Sequence, residues 1–65
     1  MKKAAAETLA RVAMSDGRKV SAPDLTREDL NSLEAGRALH RVWLKGGVDR
    51  KYANGYYHYQ KKAKA

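Results

Sequence analysis

The sequence predicts a mainly α domain: a small helical unit on a central amphipathic helix, α+β in class if the C-terminal segment closes as a β-hairpin. Three observations carry this. A helix-start signal with a 3.6-residue apolar rhythm occupies the middle of the chain, an alanine-rich segment precedes it, and Asn54-Gly55 divides a tyrosine-rich tail. With 65 residues the chain makes a single basic domain, 1–65, whose tips 1–3 and 61–65 are expected to be flexible.

In chain order, residues Ala4 to Met14 suit a short amphipathic helix with Leu9 and Val12, joined by Ala5 and Ala13, on one side. It ends before Ser15-Asp16-Gly17. Asp16-Gly17 is also a favoured hairpin turn, after which Arg18-Lys19-Val20-Ser21 would return as a strand. The helix followed by a turn is preferred, because three consecutive alanines are poor strand formers.

The central helix is placed at Thr26 to Lys45. Thr26 serves as N-cap, Glu28 and Asp29 put negative charge at the positive end of the dipole, and Leu25 and Leu30 have the spacing of a hydrophobic staple. Leu33, Gly36, Leu39, His40, Trp43 and Leu44 fall on one face, with Arg27, Asn31, Glu34, Arg41 and Lys45 on the other. Gly46-Gly47 stops the helix. Gly36 costs about 1 kcal/mol relative to alanine; it marks either a close approach of another element or a tolerated glycine. Arg37 borders the apolar face and snorkels outward, while His40 reads as a packing residue.

In the tail, a hairpin turning at Asn54-Gly55 pairs Ala53 with Tyr56, Tyr52 with Tyr57 and Arg50 with Tyr59, bringing aromatic and cationic side chains to one side. A helix capped by Asp49 would instead align Tyr52, Tyr56 and Tyr59. The hairpin is preferred, because the helix would carry Asn54-Gly55 in its interior. Tyr52 and one of Tyr56 or Tyr57 are expected in the core.

Catalytic and metal chemistry find little footing. The chain has no cysteine and only two histidines, His40 and His58, too few for a typical structural zinc site without carboxylate help. Gly46-Gly47 lacks the spacing and the lysine-hydroxyl ending of a phosphate loop, and Ser15, Ser21 and Ser32 stand in no nucleophile motif. The reading is a non-enzymatic protein with no cofactor and no metal. Glu7, Thr8 and Arg11 interrupt any signal-peptide core after Met1-Lys2-Lys3, and no stretch is long and apolar enough to span a bilayer, so a cytoplasmic location is expected.

What remains is charge. The net +7 divides into +3 over residues 1–20, −2 over 21–40 and +6 over 41–65. Such a field attracts polyanions, and nucleic acid is the leading partner. Lys2, Lys3, Arg18, Lys19, Arg50, Lys51, Lys61 and Lys62 are the candidate phosphate contacts, and Tyr57 and Tyr59 the candidate stacking rings. The mixed charge on the outer face of the central helix weighs against its being a recognition helix, which leaves binding to the two ends of the chain. The competing reading is a protein-binding regulator or assembly factor, or a homodimer, using Leu33, Leu39, Val42 and Trp43. Attachment to an anionic membrane ranks below both, since neither end joins a strongly apolar face to its charge.

Overall fold

The computed structural model describes residues 1–62. In order these form α1 (Lys3–Met14), β1 (Val20–Ser21), α2 (Ala22–Leu25), α3 (Ser32–Leu44), β2 (Val48–Ala53) and β3 (Tyr56–Lys61). The two C-terminal strands make a hairpin and β1 adds to its far edge, giving an antiparallel sheet of order β1-β3-β2. The class is therefore α+β, three helices packed with a small sheet.

The helix faces follow from small residues. α1 turns Ala6, Ala10 and Met14 inward, with Leu9 and Ala13 at the edge of the core. Val12 and Ala5, expected on the apolar side, are exposed. α3 buries Ala35, Ala38, Leu39 and Val42, an i, i+3, i+4, i+7 row. Alanine on both helices lets α1 and α3, which pack on each other, approach more closely than leucine would. The consequence corrects the expected apolar face of the central helix. Leu33 and Leu44 are 62% and 65% exposed, and His40 is exposed instead of packed.

The start of that helix is also corrected. Asn31, not Thr26, is the N-cap, its Oδ1 accepting the Glu34 amide at 2.8 Å. The segment before it folds separately. Asp24 Oδ2 accepts from the Ser21 amide at 2.8 Å and the Ser21 hydroxyl at 3.0 Å, fixing the first turn of α2, in which Pro23 needs no amide partner. Thr26 Oγ1 then donates to the Pro23 carbonyl at 2.8 Å, closing α2 instead of opening α3. Arg27 and Leu30 exchange backbone hydrogen bonds of 3.0 and 3.1 Å, and buried Leu25 and Leu30 anchor this α2–α3 turn to the core.

The hairpin forms in the expected register. Asn54 and Gly55 have φ of +54° and +85°, the positive pair that a type I′ turn requires. Ala53 faces Tyr56, Tyr52 faces Tyr57 and Arg50 faces Tyr59. Residues 20–21 do form a strand, but it pairs with β3 and not with the N-terminal segment. Tyr59, beside Val20 and Val48, is the core tyrosine at 4% exposure. Tyr52, Tyr56 and Tyr57 all remain largely exposed, contrary to the expected core placement of two of them.

Both described ends are tied down. The Met1 amine donates to the Asp29 carbonyl at 2.9 Å, Lys3 already lies in α1, Lys61 ends β3, and the Lys62 amide donates to the Gly47 carbonyl at 3.0 Å. The rest of the expected flexible tip, residues 63–65 with Lys64, lies outside the described residues.

Candidate nucleic-acid interface

Because the alanine row of α3 faces α1, the opposite side of the helix is left open. At 100° per residue Leu33, Arg37, His40 and Leu44 share that side, with Gly36 and Trp43 on the flank. All but the two flanking residues are exposed. At Gly36 an added Cβ would meet only the Ala22 side chain, at 3.8 Å. α2 thus runs close by, with ordinary van der Waals room to spare.

The hairpin stands beside this face. The Arg50 guanidinium lies 3.8 Å from the centre of the Trp43 ring and 4.4 Å from that of Tyr57. Its NH1 is 3.4 Å from His40 Nδ1, and the His40 and Trp43 rings are 5.7 Å apart. Tyr52 meets Tyr57 edge-on at 5.0 Å. Between α3 and the hairpin runs an open cleft of ≈ 320 Å³ lined in part by Gly36, His40, Arg50, Tyr56 and Tyr57.

The mixed charge of α3 has an internal explanation. Glu7 of α1, largely covered, accepts from Lys45 Nζ and from Arg41 Nε, the latter at 3.2 Å. The Lys45 hydrogen bond, then the Arg41 one, hold the Glu7 carboxyl below its ordinary range against the opposing effect of desolvation. Arg41 of α3 and Lys45 at its C-cap are thereby committed to the α1–α3 seam. Arg37 has no ion-pair partner among the described residues.

The candidate contacts named from sequence are spread over several places. Lys19 of the β1 approach comes beside Asp49, Arg50 and Lys51 along a groove on the sheet, with His58 and Gln60. There the Gln60 side-chain amide donates to the Gly17 carbonyl, and the His58 Nε2 stands 3.1 Å from the Ala53 carbonyl. Arg18 is partly neutralised by Asp16 at 3.1 Å, and the Arg18 backbone amide, then its guanidinium, hold the Asp16 carboxyl below its ordinary range. Lys3 lines a different cleft, with Met1, Glu34, Arg37 and Arg41. Lys61 lies at the root of the hairpin with Arg11, Gly46 and Gly47. Lys2 and Lys62 are exposed. Among the described residues, the two ends of the chain therefore meet only where Lys19 joins Arg50 and Lys51, while Lys3 and Lys61 lie in separate places.

Three named residues are corrected outright. Tyr59 is in the core, so its ring is closed to stacking, while Tyr57 stays exposed beside Arg50. Leu39 and Val42 are fully buried and offer nothing to a protein partner. Of that group only Leu33 is openly exposed, since Trp43 is half-buried under Arg50. Arg37, His40, Tyr52 and Tyr56 were not among the named contacts, and the structure exposes all four. The signal that would have found the first two is the row Ala35, Ala38, Leu39, Val42, once alanine is allowed to define a core face.

Fold and site together define a small basic α+β domain with an uncovered helix face beside an aromatic, cationic hairpin. Comparison with protein-family models, with curated proteins and with solved structures finds no significant match. Among the described residues no helix is long and apolar enough to cross a membrane, and no three His, Asp or Glu side chains gather as a metal site.

Proposed function

We propose that the protein binds duplex DNA, with α3 in the major groove and the β2–β3 hairpin against the adjoining backbone. The observation that carries this reading is the uncovered side of α3, with Arg37 and His40, directly beside the hairpin side that bears Arg50, Tyr52 and Tyr57. Helix, turn and second helix followed by a hairpin is the layout of a winged helix-turn-helix, here with a one-turn α2. In a helix-turn-helix the second helix enters the major groove and its exposed side chains meet base edges. Arginine is suited to guanine, and an apolar residue such as Leu33 to the methyl group of thymine. The lysines along the sheet supply sequence-independent attraction.

The test is a titration of the protein against duplex DNA, single-stranded DNA and RNA from low to physiological salt. A preference for the duplex that survives physiological salt is the expected result. Weak, unselective binding that disappears as salt rises would transfer the argument to a protein partner. The exposure of Leu33 and Leu44 on the same side of α3 supports that second reading, and self-association in solution would be its first sign.

A further inference from the structure

We propose that Arg50 is a positioning residue and not a phosphate contact: it clamps the hairpin to α3 and so sets the spacing between the two elements that meet DNA. This rests on the DNA-binding reading for its consequence, though the clamp itself exists in the free protein. Three contacts converge on one side chain. The guanidinium stands over Trp43 of α3 at 3.8 Å and over Tyr57 of β3 at 4.4 Å, and NH1 reaches His40 Nδ1 at 3.4 Å. With two aromatic rings and an imidazole in contact with it, the guanidinium of this half-buried residue is engaged inside the domain.

The contact with His40 carries a further consequence. Arginine can only donate, so Nδ1 must accept, and the neutral imidazole then carries its proton on Nε2. Arg50 thereby holds His40, an exposed residue of the open α3 side, in the tautomer that presents an Nε2–H donor. The hydrogen-bond acceptors in a major groove are guanine N7 and O6, adenine N7 and thymine O4.

Lysine preserves the charge of Arg50 but cannot form the flat stack, which makes Arg50→Lys the discriminating change. Trp43 is the only tryptophan of the chain, so its fluorescence reports the clamp without DNA. In the free protein, Arg50→Lys and Tyr57→Leu should each alter Trp43 emission and speed amide exchange in the hairpin, with the far-ultraviolet circular dichroism unchanged. On a mixed-sequence DNA duplex, Arg50→Lys and Arg50→Gln should lose affinity alike, roughly tenfold. Both should keep the wild-type slope of log affinity against log salt. A phosphate ligand would behave otherwise: Arg50→Lys would bind like wild type, and Arg50→Gln would lower the slope by about 0.9. Either of those results overturns the proposal, as does Trp43 emission unmoved by Arg50→Lys. Failure of the wild-type protein to bind any duplex would instead remove the DNA reading, and the free-protein measurements would then decide the clamp alone.

Discussion

Leu33 and Leu39 belong to the same helix and meet opposite surroundings, one 62% exposed and the other fully buried. Leu39→Ala should destabilise the domain by about 2–5 kcal/mol, the range for truncating a core leucine. Leu33→Ala should change stability by less than about 0.5 kcal/mol, as for a surface position. Urea denaturation of the two variants checks both, and equal losses would mean that α3 is rotated from the orientation described. Arg37, on the same open side as Leu33, belongs to binding. If it reads a base, Arg37→Ala should cost about 1–3 kcal/mol on the preferred duplex and relax selectivity at one position of the site. Uniform weakening across sequences in a selection from random duplexes would reduce Arg37 to a backbone contact.

Two elements depend on particular local chemistry. The hairpin turns at Gly55, whose φ of +85° L-residues rarely adopt, although no atom stands within 4 Å of a Cβ added there. Gly55→Ala should therefore cost about 1–2 kcal/mol through backbone strain alone, measurable as a lowered thermal midpoint. The α1–α3 seam depends on Glu7, whose pKa is depressed in the folded state by Lys45 and Arg41. A depressed carboxylate contributes stability that is present above its unfolded pKa and is lost as pH falls through the folded one. Wild type should thus exceed Glu7→Gln in stability at neutral pH, and the difference should shrink in acid below the ordinary carboxylate range. A difference independent of pH would mean that the carboxylate charge is not what Lys45 and Arg41 stabilise.

At the scale of the whole molecule, the +7 charge explains attraction to a polyanion but does not say where the polyanion lies. The structure separates the cations by place. Lys51 lies on the sheet face turned away from α3, in the groove with Lys19, Asp49 and His58, whereas Lys61 lies at the hairpin root beside Arg11. If the DNA backbone reaches that groove as well as α3, Lys51→Gln should lower the salt slope by about 0.9 and Lys61→Gln should leave it nearly unchanged. Equal slopes for the two variants would argue for diffuse electrostatic attraction instead of a defined footprint. Binding should also raise the thermal midpoint, since a ligand that prefers the folded state stabilises a domain of this size by mass action.

The hairpin was legible down to its register, because an Asn-Gly turn is decided by the φ angles of two adjacent residues and alternation then pairs the rest. The first helix and its stop before Gly17 were legible for the same kind of reason. The central helix was legible in its existence and its C-terminal end, but its beginning and its facing were not. Thr26 has the chemistry of an N-cap, yet its hydroxyl closes the preceding turn, a choice settled by where Leu25 and Leu30 find the core. The facing depended on which partner helix arrived: α1 brings alanines, so the close-packed side of α3 is Ala35, Ala38, Leu39 and Val42, and the bulkier Leu33 and Leu44 are left outside. The candidate site lies on that outcome. Local sequence thus determined which elements form, through torsion and capping preferences acting over a few residues. Only the tertiary structure decided which side of α3 stays open and that Arg50 reaches Trp43, because both depend on packing between segments distant in the chain.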